Sequence, residues 1–371
     1  MERKDYMLRA IGLATKGKGF TAPNPMVGAV IVKNGKIIGE GYHKICGGLH
    51  AERNAFASLT ESAEGADMYV TLEPCCHYGR TPPCTEAIIQ NKIARVYIGS
   101  RDPNPLVSGK GAKILREHGI EVTEDFMREE CDEINPVFFH YITTKTPYTA
   151  IKLAMTLDGK IASYTGASKW ITGETARENV HLLRGYYSAI LAGIGTVLAD
   201  DPMLNCRIED MHQPLRIILD SELKIPLDSR LCISAKDYPL MIVCCRFSEE
   251  KKRALEAQGA EVCILPEKDG RPDIKELMKL LGERGISSVL VEGGGTVNEA
   301  FLKCGAVSHV YAYIAPKLMG GASAKTPVEG IGAASPDECA VLKNMKLTKL
   351  GEDLLLEYDV ERGIANVHGN C

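Results

Sequence analysis

The chain has 371 residues, of which 45% are hydrophobic and 25% charged, so it holds enough apolar material for two cores. Its formal net charge of −4 disfavours nucleic acid as a partner, because proteins that bind nucleic acid usually carry a basic excess. Its 13 cysteines follow no regular spacing, the N-terminus lacks the apolar core of a signal peptide, and no apolar run reaches the length of a membrane span. We therefore expect reduced thiols, a cytoplasmic location and no membrane partner.

The first part of the chain predicts an opening hairpin followed by alternating helices and strands. A helical stripe begins at Met7, and two strands over 27–32 and 36–41 are joined by a tight turn at Asn34-Gly35. Further elements follow in chain order: helix 50–59, strand 68–72, helix 84–92, strand 95–99, helix 110–118 and strand 120–122. This order predicts a mixed sheet between two layers of helices, a three-layer α/β/α domain.

A polar, threonine-rich segment at 141–147 ends in proline and predicts a domain boundary, which gives domains 1–145 and 146–371. A second alternation follows it: strand 148–154, helix 174–184, strands 189–193, 215–219 and 240–245, helix 249–258, strand 261–265, helix 273–283 and strand 287–291. The second domain is therefore predicted to be α/β, with a sheet that is mostly parallel in its middle.

A metal-binding pattern in the first domain consists of His50, Cys75 and Cys84. One imidazole and two thiolates leave the fourth tetrahedral position free, as in catalytic zinc sites, where Zn²⁺ brings the pKa of water toward neutrality. Glu52 lies two residues after His50, where a carboxylate can take a proton from that water and pass it to the ring nitrogen and the departing amine. The pattern H-x-E…P-C…C is typical of zinc deaminases, so we expect a deaminase of a pyrimidine-like ring.

A closed structural zinc site is the alternative, with Cys76 or His77 as the fourth ligand. Cys76 directly follows a ligand, and adjacent residues seldom both point at one metal; a closed site also gives Glu52 no role. The loop 76–83 is longer than the two-residue spacing common in deaminases, and it places Arg80 near the metal. An arginine there can bind a phosphate or a carboxylate.

Long motifs run through both domains. In the first domain they are PNPMVGAVIVKNGKIIGEGYH, HAERNA, YVTLEPCCHYGRTPPC and SRDPNPLVSGKG, and in the second KLAMTLDGKIAS, SKWITG, ILAGIGTVLADDPMLNCR and VEGGGTVNEAFL. Over residues 7–360 the sequence resembles the RibD family of bifunctional riboflavin biosynthesis enzymes. The resemblance implies a cytidine-deaminase-like N-terminal domain, a dihydrofolate-reductase-like C-terminal domain, Zn²⁺ and NADPH as cofactors, and a homo-oligomer.

The resemblance also implies two consecutive reactions on a small phosphorylated pyrimidine. The deaminase hydrolyses the 2-amino group of 2,5-diamino-6-ribosylamino-4(3H)-pyrimidinone 5′-phosphate. The reductase then uses NADPH to convert the ribosyl group of 5-amino-6-(5-phosphoribosylamino)uracil into a ribityl group. One alternative is another zinc nucleoside or nucleotide deaminase fused to a binding domain without redox activity, and a second is a non-catalytic, zinc-stabilised binding module.

In the first domain the resemblance implies the same three zinc ligands, with Glu52 as the proton donor. It also implies substrate contacts at Asn24, His43, His77 and Arg80. Arg80 stands where the family often has lysine. Cys76 stands where serine is expected, so the hydroxyl of that serine has no counterpart here. From the residues alone, Asn24 is equally well explained as a turn residue between two prolines.

A glycine-rich turn at 293–295 ends a predicted strand and opens a helix over 296–304. Glycines let a backbone approach a phosphate, and a helix N-terminus offers free N–H groups, although such a turn can also be only a tight connection. Because the turn lacks G-x-G-x-x-G, a standard Rossmann domain is not supported. The resemblance implies that NADPH contacts seven consecutive residues: Gly294, Gly295, Thr296, Val297, Asn298, Glu299 and Ala300.

The resemblance assigns further residues of the second domain. NADPH contacts are expected at Ala154, Trp170, Thr196 and Asp200. Substrate contacts are expected at Ser168, Arg184, Leu204, Arg207 and Glu292. From the residues alone, Trp170 would be a core aromatic, and the two arginines either solvated charges or phosphate partners. Lys152, also an expected substrate contact, and Asp200 are candidates for protonating the opening ring oxygen; Lys152 could equally be a strand residue with a solvated amine.

Overall fold

The computed structural model describes residues 1–78, 82–104 and 107–361. The chain divides into two units, Met1–Lys145 and Thr146–Cys371. None of the helices within the described ranges combines the length and the apolarity needed to cross a lipid bilayer.

The first unit contains a five-stranded mixed sheet. Its elements are α1 Arg3–Ala14, β1 Gly28–Lys33, β2 Lys36–Tyr42, α2 Ala51–Ala57, β3 Asp67–Leu72, α3 Cys84–Gln90, β4 Arg95–Ser100, α4 Lys110–Glu117, β5 Glu121–Thr123, α5 Arg128–Asp132 and α6 Pro136–Thr144. The strand order is β2-β1-β3-β4-β5. Strand β1 is antiparallel to both β2 and β3, whereas β3, β4 and β5 are parallel.

Alternating side chains of this sheet enter two separate cores, because successive residues of a strand point to opposite faces. On β1, Ala29 and Ile31 pack with residues of α2, α3 and α4. Val30 and Val32 pack on the other face with residues of α1 and α5. The sheet therefore lies between two layers of helices, which confirms the three-layer α/β/α architecture.

The second unit is built on a nine-stranded sheet. Its elements are β6 Tyr148–Thr156, α7 Glu174–Tyr186, β7 Ala189–Gly193, α8 Ile194–Asp200, β8 Leu215–Leu219, α9 Arg230–Ile233, β9 Leu240–Cys244, α10 Glu249–Ala257, β10 Glu261–Ile264, β11 Glu267–Lys268, β12 Arg271–Pro272, α11 Ile274–Glu283, β13 Ser288–Val291, α12 Gly295–Lys303, β14 Val307–Ala315, β15 Leu342–Leu350 and β16 Asp353–Val360. The strand order is β10-β9-β8-β7-β13-β6-β14-β16-β15, and β11 pairs with β12 separately.

Seven neighbouring strands, from β10 to β14, are parallel, and β16 runs antiparallel to both β14 and β15. The interior strands β7 and β9 are buried at every position, as is usual for parallel strands covered on both faces. The second unit thus has the dihydrofolate-reductase-like α/β architecture that the family resemblance implies.

The structure differs from the sequence prediction in several features, and helices α5 and α9 and strands β11 and β12 are among the elements that were not predicted. The segment predicted as a polar linker begins inside helix α6, where the hydroxyls of Thr143 and Thr144 bond to the carbonyls of Phe139 and His140. Helix α8 follows β7 directly and was not predicted. Strands β14, β15 and β16 were also missed, and β15 is exposed at almost every position, so it lacks the alternation that predicts a half-buried strand.

Candidate active sites of the two units

A cluster of three metal-ligand side chains lies in the first unit. His50 caps the start of α2, Cys75 follows β3, and Cys84 opens α3. The Nδ1 atom of His50 lies 3.5 Å from Sγ of Cys75 and 3.4 Å from Sγ of Cys84, and the three ligand atoms lie within 4.8 Å of one another. A tetrahedral zinc ion separates its nitrogen and sulfur ligands by about 3.5 Å, so the donors and their spacing fit zinc.

Glycine at position 41 allows helix α2 to lie directly on β2. A Cβ at Gly41 would come within 2.2 Å of the backbone nitrogen of Ala55 and 2.4 Å of the carbonyl oxygen of Ala51. The side-chain amide of Asn54 donates a hydrogen bond to the carbonyl of Tyr42 (2.8 Å). Together these contacts fix the first turn of α2, and with it the imidazole that begins the helix.

Cys75 is held in a setting that favours a thiolate, whereas a hydrogen bond with Cys75, followed by burial, raises the pKa of Cys84. The backbone N–H of Cys84 donates to Sγ of Cys75 at 3.3 Å. The pKa of Cys75 is lowered, chiefly by a hydrogen bond with the Cys84 thiol and then by His50. Arg53 of α2 donates to the carbonyl of Pro83 (3.0 Å) and so ties α2 to the residue before the second cysteine. Metal binding requires a deprotonated thiol, so the lowered pKa of Cys75 favours metal binding.

The carboxylate of Glu52 is buried beside the cluster, with 3% of the residue exposed. Burial, followed by the charge on Cys75, raises the pKa of Glu52 above its ordinary value. A carboxyl group with a raised pKa is suited both to accept a proton and to donate it at neutral pH.

Asn24 and His43 lie together beside the metal cluster. The amide nitrogen of Asn24 lies 3.2 Å from Nε2 of His43, and Nδ1 of His43 lies 3.0 Å from the carbonyl of Leu49. Because the amide donates and the carbonyl accepts, His43 is neutral with its proton on Nδ1, and burial lowers its pKa. Its ring packs edge-on to that of His50, with 5.5 Å between the centroids.

The loop after Cys75 is described only in part. His77 is exposed, and Arg80 lies outside the described residues. Among the described residues the metal cluster comprises three ligands, and neither Cys76 nor His77 belongs to it. The four-ligand alternative therefore finds no support in this part of the chain.

Sequence reasoning missed Asp102, which lies in the SRDPNP motif and is 8% exposed. Burial raises the pKa of Asp102 to about 6, and nearby His77 opposes that rise. The signal that could have singled it out is an acidic residue between an arginine and a proline inside the SRDPNP motif.

Three charged side chains meet in the second unit: Lys152 from the middle of β6, Arg184 from the last turn of α7 and Glu292 directly after β13. Glu292 is joined to Arg184 by two hydrogen bonds of 2.6 and 3.0 Å, and its Oε2 lies 3.2 Å from Nζ of Lys152. Burial alone would raise the pKa of Glu292, but the positive charges of Arg184 and Lys152 hold it well below its ordinary value. The amine of Lys152 is paired and largely buried, so the alternative of a solvated strand lysine is wrong.

His181, which the sequence analysis did not select, lies one turn before Arg184 on α7. Burial first, and then the charges of Arg184 and Arg207, lower the pKa of His181 to about 4. Arg207 itself is exposed, whereas Leu204 is buried with a left-handed backbone (φ 52°). The carbonyl of Asn205 accepts a hydrogen bond from Arg184 (3.3 Å), which joins this loop to the charged cluster.

The glycine-rich turn lies against the turn that joins β7 to α8. The backbone N–H of Gly193 donates to the carbonyl of Gly293 (3.0 Å). A Cβ at Gly294 would meet only the hydroxyl of Thr196, at 3.8 Å, so the space over this residue is open. Gly295 differs, because a Cβ there would lie 2.8 Å from the carbonyl of Thr326. The open side of the turn is therefore at position 294.

The next residues of α12 face a neighbouring loop. The amide of Asn298 donates to the carbonyl of Pro327 (2.8 Å), and the side chain of Glu299 packs at Gly330. Thr296, Val297 and Ala300 are half-buried.

Ser168 and Asp200 meet near Trp170. The hydroxyl of Ser168 donates to Asp200 at 2.9 Å. Trp170 is 65% exposed, with the guanidinium of Arg177 4.6 Å from its ring centroid, so the interpretation of Trp170 as a core aromatic is wrong. Ala154 is half-buried on β6, two residues from Lys152 and therefore on the same face of the sheet.

Two family models match the chain. The model described as RibD C-terminal domain matches residues 147–356, and the model described as cytidine and deoxycytidylate deaminase zinc-binding region matches residues 1–100. The riboflavin biosynthesis protein RibD of Actinobacillus pleuropneumoniae is 52% identical over 96% of this chain and 95% of its own length. The chain belongs to the RibD family.

Solved structures of RibD proteins agree with this membership. Acinetobacter baumannii RibD, form 1, matches with a TM-score of 0.87 and 37% identity, covering 96% of this chain and 98% of that one. A Thermotoga maritima structure, described as a diaminohydroxyphosphoribosylaminopyrimidine deaminase/5-amino-6-(5-phosphoribosylamino)uracil reductase, matches with a TM-score of 0.82 and 38% identity over 96% of this chain and 98% of that one.

As a RibD protein, the chain is a bifunctional riboflavin biosynthesis enzyme that acts on small molecules. It combines a zinc-dependent deaminase with an NADPH-dependent reductase. An unrelated deaminase fused to a binding domain without redox activity is not favoured.

Proposed function

We propose that residues 1–145 hydrolyse the 2-amino group of 2,5-diamino-6-ribosylamino-4(3H)-pyrimidinone 5′-phosphate. Residues 146–371 then reduce the ribosyl group of 5-amino-6-(5-phosphoribosylamino)uracil to ribityl. The Thermotoga maritima protein, 38% identical to this chain, is described as having this pair of activities. The observation that carries the deaminase is the buried Glu52 beside three metal-ligand side chains.

In the deaminase, His50, Cys75 and Cys84 would hold the zinc ion. The zinc supplies a Lewis acid that brings the pKa of a water molecule toward neutrality. Glu52 takes a proton from the attacking water and passes it to the ring nitrogen, and it then transfers the proton of the added hydroxyl to the amino group. The water oxygen stays on the ring as the carbonyl, and the amino group leaves as ammonia.

The neighbours of the metal cluster bind the substrate of the deaminase. The amide of Asn24 and the neutral imidazole of His43 form hydrogen bonds with the pyrimidine, since both lie beside His50. His77 and Arg80 bind the sugar phosphate.

In the reductase, NADPH supplies the hydride that the ribosyl carbon C1′ receives. The open backbone at Gly294 and the first turn of α12 would hold its phosphates, with Thr196 on the facing turn. The remaining cofactor contacts are proposed at Ala154, Trp170, Asp200 and the residues that follow Gly294.

Lys152 protonates the ring oxygen that leaves C1′. Its Nζ lies 3.2 Å from Glu292, which holds the amine in place. Arg207, which is exposed beside the charged cluster, binds the substrate phosphate, and Arg184 orients Glu292. Ser168 and Leu204 complete the proposed substrate contacts.

The replacement Glu52→Gln tests the deaminase half. It keeps the shape of the side chain but cannot carry a proton, so we expect deamination to fall by about 10²- to 10⁴-fold while zinc content stays the same. NADPH oxidation with the deaminated substrate should be unchanged. Glu64→Gln is the matched control, because the side chain of Glu64 is 63% exposed in an ion pair with Lys92. Deamination by Glu52→Gln at the wild-type rate would contradict the proposed role of this residue as the proton carrier.

We also propose that the chain forms a homo-oligomer in the cytoplasm. Strand β15 is an edge of the sheet and exposes Met345 (60%) and Leu347 (57%). Every cysteine in the described part of the chain is a free thiol, in keeping with a reducing compartment. Light scattering of the wild type and Leu347→Lys tests the oligomer: a dissociated variant supports β15 as an interface, and a monomeric wild type contradicts the proposal.

A further inference from the structure

The motif KLAMTLDGKIAS contains Asp158, for which the proposed function gives no role. Asp158 follows β6, and its carboxylate accepts a hydrogen bond from the hydroxyl of Thr156 (2.5 Å). It also accepts from the backbone N–H of Gly320 (2.7 Å) and of Met319 (3.0 Å). These bonds lower the pKa of Asp158 to about 2, so the carboxylate is ionised at neutral pH. Asp158 thus fixes the segment after β14 to the end of β6.

Lys317 joins the same segment to Trp170. Its Nζ donates to the carbonyl of Trp170 (2.9 Å) and to the carbonyl of Ile171 (2.6 Å). Its own carbonyl accepts a hydrogen bond from the backbone N–H of Leu157 (2.9 Å). A continuous series of bonds therefore runs from β6 through Asp158 and Lys317 to the backbone of the tryptophan.

The bonded segments line an open pocket of about 260 Å³, whose lining includes Thr156, Ser168, Trp170, Lys317 and Met319. Because Trp170 is 65% exposed, packing contributes little to holding its ring. The backbone bonds set the position from which the ring projects, and the guanidinium of Arg177 lies 4.6 Å from the ring centroid.

We propose that Asp158 and Lys317 are positioning residues of the reductase, which hold Trp170 in the orientation that receives the nicotinamide end of NADPH. The inference rests on the proposed function, which assigns Trp170 to the cofactor. Neither residue is proposed to contact the reacting atoms.

Trp170 is the only tryptophan of the chain, so its fluorescence reports directly on this pocket. The test variants are Asp158→Asn and Lys317→Met, with Lys317→Arg as the conservative rescue. Lys325→Met and Asp269→Asn are matched controls at exposed positions of the same unit. Trp170 emission is recorded without cofactor, NADPH binding is titrated through energy transfer from Trp170, and reductase kinetics and deaminase turnover are measured on the same samples.

We expect Asp158→Asn and Lys317→Met to shift the emission of the cofactor-free protein and to raise the Kd and KM for NADPH roughly tenfold. The KM for the deaminated substrate and the deaminase turnover should stay at wild-type values. Lys317→Arg should restore NADPH binding, and both controls should match the wild type. A role in folding alone would instead lower the apparent kcat by reducing the fraction of folded protein, and it would leave the KM for NADPH at the wild-type value.

Wild-type emission and an unchanged KM for NADPH in both test variants would overturn the proposed positioning role while leaving the reductase intact. A wild-type protein that neither binds nor oxidises NADPH would instead contradict the proposed function. The two failures are therefore distinguishable.

Discussion

Arg184 and Glu292 face each other through two parallel hydrogen bonds, 2.6 Å from Nε to Oε1 and 3.0 Å from Nη2 to Oε2. The carboxylate side chain is only 4% exposed, and Lys152 approaches it from another strand. One buried anion thus pairs with two cations, so its removal takes the counter-charge of Glu292 away from both.

Replacing Glu292 with Gln should therefore destabilise the second unit strongly. Two largely buried cations would lose their counter-charge, and we expect the free energy of unfolding to fall by about 3 kcal/mol. Urea unfolding followed by Trp170 fluorescence measures the loss. The control is Glu267→Gln, whose partner Arg246 lies 3.5 Å away at an exposed position, where a change of less than about 0.5 kcal/mol is expected. Equal losses in both variants would contradict this account of the cluster.

The stability of the second unit should also depend on the protonation of His181. Its pKa is about 4 in the folded protein and about 6.5 when unfolded, so between these values the unfolded chain binds the proton and the folded chain does not. The stabilisation is fully present above pH 6.5 and is lost as the pH falls toward 4. Because the ring is only partly buried, we expect a loss of about 1 kcal/mol rather than the full value of the shift.

His181→Gln removes this titration. The difference in unfolding free energy between pH 7.5 and pH 5, measured by urea unfolding, should be smaller in the variant than in the wild type by about 1 kcal/mol. An identical pH dependence in the two proteins would show that His181 does not contribute.

Gly41→Ala should separate zinc binding from cofactor binding. The added carbon would lie 2.2 Å from the backbone of Ala55, so α2 must move and carry His50 and Glu52 with it. We expect reduced zinc content, loss of deamination and destabilisation by about 1–3 kcal/mol, with NADPH oxidation retained. Gly12→Ala is the control, because a Cβ there meets nothing within 4 Å and alanine favours the helix. Full zinc occupancy in Gly41→Ala would contradict the role of this contact.

Two adjacent glycines should respond differently to alanine. At Gly294 the added carbon meets only the hydroxyl of Thr196, at 3.8 Å, so stability should be kept while the KM for NADPH rises about tenfold. At Gly295 the added carbon meets the carbonyl of Thr326 at 2.8 Å, so the midpoint temperature of thermal unfolding should fall. Thermal melts together with NADPH titration distinguish the two effects. If Gly295→Ala weakened NADPH binding and left stability unchanged, the cofactor-facing position would be Gly295 and not Gly294.

The metal cluster could be predicted from sequence because each ligand lies at the end of a helix or strand that the local pattern already indicates. His50 caps α2, Cys84 opens α3, and the intervening Cys75 follows a strand. Once a helix or strand forms, the side chain at its end points in a fixed direction. The positions of the three ligands in the sequence were therefore enough to predict that they meet.

Asp102 and His181 could not be found in this way. Their settings depend on side chains that arrive from other elements: His77 near Asp102, and Arg207 near His181. The exposed strand β15 was missed for a related reason. Its extended conformation depends on pairing with β16, and its own hydrophobic pattern does not indicate a strand.

The position of β6 in its sheet has a consequence for the order in which the protein folds during synthesis. Tyr148 of β6 pairs with Ser288 of β13, and the other neighbour, β14, is made later still. At ordinary translation rates this strand waits on the order of 10 seconds for its partners, whereas the sheet of the first unit is complete by Thr123. The nascent reductase therefore exposes an apolar strand on the ribosome after the deaminase can already have closed its core.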